Sequence, residues 1–116
     1  MTISYDEVAA LTAELVAIDS TNPDLVPGGA GEAEIARYVA AWLESAGLDV
    51  ELRELGPRRA NVIAVARGSG GGRTLILNAH MDVVGEGAHA DIEWVDLASA
   101  TRTADALLGI IVEFCA

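Results

Sequence analysis

The sequence predicts a small α/β protein in which three helices pack on a mixed sheet of about three strands. Three segments repeat apolar residues every three or four positions, which is the period of one helical face. One segment alternates apolar and polar residues, and two short runs are wholly apolar, as strands are. The order helix, helix, strand, strand, strand, helix fits one layered domain of 116 residues.

The first two helices are marked by signals at their ends. Ser4 and Glu7 have the spacing of a capping box, and the apolar stripe behind them predicts a helix over 5–18. Turn-forming residues follow over 19–31, where we expect a loop. The second apolar stripe ends before Gly47, which stands where a left-handed residue closes a helix.

The three predicted strands differ in how they are covered. Residues 48–53 alternate in polarity and predict an edge strand with one face exposed to solvent. Residues 61–66 and 74–77 are apolar on both faces, which is typical of central strands between helices. The glycine-rich segment 68–73 is short enough to join them as antiparallel neighbours. A third helix is expected after Asp96, whose side chain can cap it.

Charge and composition exclude several classes of partner. Eighteen acidic residues against seven basic ones give a net charge of -11, so a nucleic acid or an anionic membrane surface would be repelled. The apolar stretches are shorter than the ~20 residues that span a bilayer. The start of the chain lacks the pattern of a secretion signal, and Cys115 has no second cysteine to pair with. We therefore expect a cytoplasmic protein.

Both histidines are followed two residues later by an aspartate, as His80-Met81-Asp82 and His89-Ala90-Asp91. The first pair directly follows the predicted strand 74–77, and open α/β sheets place ligand sites beyond the carboxyl ends of their strands. An imidazole there can bind a metal through one nitrogen while a carboxylate accepts the proton of the other. The spacing alone is equally compatible with a histidine that is merely hydrogen-bonded in a turn.

Several separated motifs carry a family resemblance, and they are residues 18–23, 42–48, 61–64 and 77–84. In this order they resemble the amino-terminal catalytic region of the zinc-dependent amidohydrolases and exopeptidases. That family includes acetylornithine deacetylase, succinyl-diaminopimelate desuccinylase, aminoacylase and glutamate carboxypeptidase. Residues 87–97 and the helix after them resemble its extreme carboxyl terminus. The resemblance implies one truncated catalytic domain over 1–116, with an amino-terminal part, 1–84, joined to a carboxy-terminal part, 85–116, and the middle missing.

The resemblance also implies roles for three residues. His80 corresponds to a zinc ligand, Asp82 to the catalytic carboxylate that orients its imidazole, and His89 to a ligand of a second zinc. The family hydrolyses the amide bond of N-acyl amino acids or peptides. Zinc is therefore the expected metal, with cobalt or manganese as alternatives.

Other parts of the family's site have no counterpart in this sequence. It contains neither a Gly-Arg-Gly motif, which supplies the bridging aspartate, nor two adjacent glutamates, which supply the general base. A catalytic zinc needs three protein ligands and a water, so Asp82, Glu86 or Asp91 would have to complete the set. We expect a weak or partial zinc site and little or no hydrolysis. The alternative is a non-catalytic α/β module that binds metal or self-associates.

The same truncation predicts self-association. Without the rest of the parent sheet, strand 74–77 would have an unpaired edge, and exposed edges pair with other chains. We expect a homo-oligomer formed either through this edge or by exchange of the last helix, with the connection between Val84 and Asp96 as the hinge.

Overall fold

Three helices and one two-stranded antiparallel sheet form the regular structure of this computed structural model, which describes residues 2–84 and 95–116. Within these residues no helix is long and apolar enough to cross a membrane. The chain divides into two compact units, here called the helical unit (Met1–Ala17, Gly68–Asn78 and Ala88–Ala116) and the hairpin unit (Ile18–Arg67 and Ala79–Gly87). The elements in chain order are α1 (Tyr5–Val16), α2 (Ala33–Ser45), β1 (Asp49–Gly56), β2 (Arg59–Val65) and α3 (Leu97–Phe114).

The helical unit contains α1 and α3, which pack against each other. The capping box predicted at α1 is present, because the amide of Glu7 donates to Ser4 Oγ at 3.1 Å and the amide of Ser4 donates to Glu7 Oε2 at 3.2 Å. The predicted cap of α3 is also present, with Asp96 accepting from the amide of Ala98 at 3.0 Å. Both helices therefore begin where the sequence predicts, and α1 ends two residues earlier than expected.

The hairpin unit contains the core of the described residues. β1 and β2 pair in antiparallel register, with Val50 opposite Ala64 and Leu52 opposite Val62. α2 packs on this sheet and ends before Gly47, whose φ of 85° is the left-handed conformation that the sequence predicts. The buried apolar side chains are those of Ile35, Ala36, Ala40 and Ala60.

The prediction of a third strand over 74–77 is wrong. These residues form no strand, and the side chains of Ile76 and Leu77 are 82% and 56% exposed. The hydrogen-bonding neighbour of β2 is β1, which reaches it through a tight turn at 57–58, so the glycine-rich segment 68–73 does not join paired strands. A wholly apolar run is compatible with a central strand, but its pattern does not specify a pairing partner.

The prediction that β2 is covered on both faces is also wrong. Its exposure alternates along the strand, with Ala60 buried while Ile63 and Val65 are 42% and 44% exposed. The physical reason is that α2 covers one face of the hairpin, whereas no described element of the hairpin unit covers the face that carries Ile63 and Val65.

Candidate functional site

A short parallel bridge joins the loop after α1 to the segment that contains the first His-x-Asp motif. Thr21 pairs with Val83, the amide of Asn22 donates to the carbonyl of Val83 at 2.9 Å, and the amide of Val83 donates to the carbonyl of Ser20 at 3.1 Å. Ser20 is buried at this junction. Residues far apart in the sequence are thus held side by side at the point where His80 and Asp82 lie.

The loop that forms one side of the bridge is fixed by its own side chains. Asp19 Oδ1 accepts from both the amide and the hydroxyl of Thr21, at 3.0 and 2.7 Å. The backbone bond and then the hydroxyl bond of Thr21 hold the pKa of Asp19 below its usual value. Asn22 Oδ1 accepts from the amide of Asp24 at 2.8 Å. These Asx-type bonds give the loop a defined conformation in place of regular structure.

His80 and Asp82, the two members of the first His-x-Asp motif, are in contact. His80 Nδ1 lies 2.8 Å from the backbone carbonyl oxygen of Asp82 and 3.4 Å from its carboxylate Oδ1. Both of those oxygens only accept hydrogen bonds, so a neutral His80 that makes this contact carries its proton on Nδ1. Its Nε2 then has a lone pair for a ligand, on a side chain that is 83% exposed.

The carboxylate of Asp82 has a second partner in the loop. Asn22 Nδ2 donates to Asp82 Oδ2 at 2.7 Å, and the Asp82 side chain is 28% exposed. This bond is the main reason why the pKa of Asp82 lies below its usual value. Partial burial opposes the shift, while the hydrogen bond from the backbone amide of Asp82 and the positive charges of Arg59 and of a protonated His80 reinforce it. Asp82 is therefore ionised at neutral pH and acts as an acceptor for both neighbours.

Arg59 forms an ion-pair cluster with two carboxylates of the same unit. Its Nε donates to Glu32 Oε1 at 2.7 Å, and its Nη1 donates to Asp24 Oδ2 at 2.8 Å. The bond to Glu32 is the largest cause of a raised pKa at Arg59. The Glu32 side chain is only 9% exposed, and its Oε2 is buried without a hydrogen-bond partner. Since Asp24 also donates its amide to Asn22, the cluster is continuous with the loop that holds Asp82.

The described residues do not by themselves complete a catalytic zinc site. Within 2–84 and 95–116, no three His, Cys, Asp or Glu side chains lie together in a way that would hold a metal ion. A catalytic zinc needs three protein ligands. His80 supplies one nitrogen with a supporting carboxylate, and the other predicted ligand, His89, lies outside the described residues together with Glu86 and Asp91.

The sequence analysis named His80 and Asp82 as candidate site residues but missed Asn22, the residue that holds Asp82. Asn22 belongs to the first family-like motif, 18–23, yet nothing in the spacing indicates that it contacts a residue 60 positions later. The Arg59 cluster was also missed, because its partners lie 27 and 35 residues away in sequence. A signal for Asn22 existed in the density of turn-forming residues around it, which marks an ordered polar loop.

The chain is similar to N-formyl-4-amino-5-aminomethyl-2-methylpyrimidine deformylase from Halalkalibacterium halodurans, with 34% identity over 80 residues. The matched stretch is 67% of this chain but only 18% of that protein. No family model matches the chain. No solved structure matches it either. The similarity is to a hydrolase that acts on an amide-type formyl bond, and it supports the amidohydrolase resemblance at that coarse level.

Proposed function

We propose that this chain carries part of a metal-dependent amide hydrolase site, with His80 as a zinc ligand and Asp82 as the carboxylate that orients it. The observation that carries the proposal is the contact of His80 Nδ1 with both the carbonyl and the carboxylate of Asp82. Metal-binding histidines commonly donate their second nitrogen to such oxygens, which fixes the ring and raises its basicity. The similarity to a deformylase supports the reaction class.

The ligand set is incomplete, and this limits the activity that we propose. His89 is the second nitrogen ligand in our proposal, with Glu86 or Asp91 as a recruited carboxylate. The described residues hold no group of three ligands for a metal ion, so we infer a weak site that binds zinc, cobalt or manganese. The sequence has no adjacent glutamates to supply the family's general base, and the loss of such a base typically costs about 10² to 10⁴ in rate. Hydrolysis of N-acyl amino acids or peptides by this chain is therefore slow or absent.

Calorimetric titration with zinc tests the metal part of this proposal. We expect weak binding to the wild type, at least about 10-fold weaker binding to Asp82→Asn, and loss of binding in His80→Gln. Asp96→Asn serves as a control, because this carboxylate caps α3 in the helical unit. Equal zinc affinity in the wild type and His80→Gln would contradict the assignment, as would a wild type that binds no zinc at millimolar concentration.

An assay of N-formyl and N-acetyl amino acids tests the catalytic part. We expect turnover close to the uncatalysed rate at saturating zinc, since the described residues hold no group of three ligands for a metal ion and the sequence lacks the family's adjacent glutamates. Zinc-dependent turnover that disappears in His80→Gln would show that other residues complete the site. Our proposal that this chain hydrolyses its substrates slowly or not at all would then be wrong.

The second candidate function is a non-catalytic module that self-associates. Two neighbouring apolar side chains favour it, because Ile76 and Leu77 are 82% and 56% exposed and such surface drives association. In this proposal a homo-oligomer forms through the segment 74–77 or by exchange of α3. Light scattering over a range of concentrations is the test; a monomer at every concentration contradicts it, and Ile76→Ser should weaken any oligomer that forms.

A further inference from the structure

We propose that Asn22 is a positioning residue for His80, and the inference rests on the proposed role of His80 as a metal ligand. The side-chain amide of Asn22 fixes the carboxylate of Asp82, and Asp82 in turn selects the His80 tautomer that has its lone pair on Nε2. Asn22 touches neither a metal nor a substrate in this proposal. It acts through Asp82, over the 2.7 Å bond between Asn22 Nδ2 and Asp82 Oδ2.

Asn22 is suited to this task because hydrogen bonds hold its backbone amide, its backbone carbonyl and its side-chain oxygen. Its amide donates to the carbonyl of Val83 at 2.9 Å, and its carbonyl accepts from the amide of Val26 at 2.9 Å. Its side-chain Oδ1 accepts from the amide of Asp24 at 2.8 Å, which leaves Nδ2 as the atom that faces Asp82. Only one orientation of the Asn22 amide makes both bonds, since Oδ1 cannot donate and Nδ2 cannot accept.

Asp82 needs this support because both it and His80 reach solvent. The Asp82 carboxylate is 28% exposed, and without Asn22 it is free to rotate toward water. The His80 ring is 83% exposed, so no packing holds it in place. Its orientation depends on the contacts of Nδ1 with the Asp82 carbonyl and carboxylate, at 2.8 and 3.4 Å. An exposed imidazole that loses such partners samples both tautomers.

The charge balance of the site points to the same role. Asp24 and Glu32 both pair with Arg59, so this arginine is already committed to two carboxylates in the hairpin unit. Arg59 acts on Asp82 through its charge, whereas the hydrogen bond from Asn22 is the direct contact that fixes an Asp82 oxygen. A neutral amide also fixes the carboxylate without neutralising it, and the negative charge of Asp82 therefore remains to strengthen the donor bond from His80 Nδ1.

The test measures the tautomer of His80 in the metal-free protein by long-range ¹H–¹⁵N spectra, which distinguish a protonated from an unprotonated ring nitrogen. A His89→Gln background leaves His80 as the only histidine. We expect the Nδ1-protonated tautomer to dominate in this background. Asn22→Asp keeps the acceptor for the Asp24 amide but removes the donor to Asp82, and it should lower the share of the Nδ1-protonated tautomer, although the backbone carbonyl of Asp82 remains as an acceptor.

Two further variants separate positioning from a general structural effect. Thr21→Val alters the neighbouring loop position and removes its hydroxyl bond to Asp19, but it should leave the His80 tautomer unchanged. The double variant N22D/D82N exchanges donor and acceptor between the two positions, and it should restore the Nδ1-protonated form. Should N22D fail to fold, Asn22→Ser is measured instead, because a serine hydroxyl is too short to reach Asp82.

The outcomes distinguish this inference from the proposed function. A folded N22D or N22S protein with the wild-type tautomer ratio would overturn the role of Asn22, and so would an equal shift in Thr21→Val. If the tautomer shifts as expected but the wild type binds no zinc, the positioning stands and the metal-ligand role of His80 fails. If zinc binds to the wild type, N22D should bind it about 10-fold more weakly, as is typical when a metal ligand loses a supporting hydrogen bond.

Discussion

The carbonyl oxygen of Arg58 accepts the backbone amide of Ala33 at 3.1 Å, so the turn of the β-hairpin caps the first turn of α2. Arg58 adopts a φ of 64° to make this contact, which is uncommon for a residue other than glycine. Gly31 lies against the same turn, and its amide donates to the carbonyl of Thr21 at 2.9 Å. The hairpin turn thereby fixes the loop that bears Asn22 next to Asp82.

This relationship predicts that Gly31→Ala destabilises the hairpin unit. Gly31 has a φ of 73°, and a Cβ at this position would overlap the backbone of Arg58. Gly28 has a similar φ of 83° but its Cβ would meet no atom within 4 Å. Gly28→Ala should therefore cost only the left-handed strain, about 1–2 kcal/mol of unfolding free energy, and Gly31→Ala should cost clearly more. Urea denaturation compares the two, and equal losses would contradict the close approach.

The small core predicts that two isoleucines of the hairpin unit contribute differently to the free energy of unfolding. Ile35 on α2 is 7% exposed, whereas Ile63 on β2 is 42% exposed. Ile35→Ala should cost about 2–4 kcal/mol, because it removes buried methyl groups and leaves a cavity. Ile63→Ala should cost less than half as much, since its side chain loses little buried area. Denaturation midpoints at a constant m value measure both, and similar losses would contradict the assignment of the core to one face of the sheet.

The parts of the fold that were predicted correctly depend on contacts between residues close in sequence. The bond between Ser4 and Glu7 spans three positions, and the cap by Asp96 spans two, so their spacing is visible in the sequence. Gly47 is likewise recognisable from its place after an apolar stripe. The His80 contact with Asp82 is also local, because it spans two residues, and the role of the two side chains stays a prediction.

The parts that were missed depend on contacts between distant residues. The pairing of β2 with β1, rather than with residues 74–77, is decided by the turn at 57–58, and an apolar pattern alone does not specify it. The bond from Asn22 to Asp82 forms because the bridge between Thr21 and Val83 brings two chain segments together. No local spacing encodes such a contact, so the support of the candidate site could not be predicted.

The pKa of Asp19 gives a pH-dependent prediction for the loop. Its folded pKa lies below the usual value of 3.8, so the bonds from Thr21 stabilise the fold above that pH and are lost as the pH falls through the folded pKa. Thr21→Val removes only the hydroxyl bond, and the pKa of Asp19 should rise part of the way toward 3.8 because the backbone bond remains. A carboxyl ¹³C titration measures it, and an unchanged pKa would contradict the hydroxyl contact.

Arg59 and Arg67, two of the arginines that pair with acidic residues, should differ in their contribution to stability. The Arg67 bond to Asp49 joins side chains that are 76% and 63% exposed, and Arg67→Met should change stability by less than about 0.5 kcal/mol. Arg59→Met leaves the buried carboxylate of Glu32 without its partner, and it should lower the melting temperature more than Arg67→Met does. Thermal melts in low salt make the comparison, and a larger loss for Arg67→Met would show that the Glu32 pair does not order the unit.

The measurement that bears most directly on the candidate site is the ¹⁵N spectrum of the His80 ring as zinc is added to the wild-type protein, in which the His80 resonances are assigned by comparison with the His89→Gln protein. We predict that the Nε2 resonance shifts with zinc while Nδ1 keeps its proton, because Nδ1 lies 2.8 Å from the carbonyl oxygen of Asp82, which accepts that proton in a hydrogen bond. A shift at Nδ1 in place of Nε2, or an unchanged His80 spectrum at millimolar zinc, would contradict the assignment of His80 as a metal ligand oriented by Asp82.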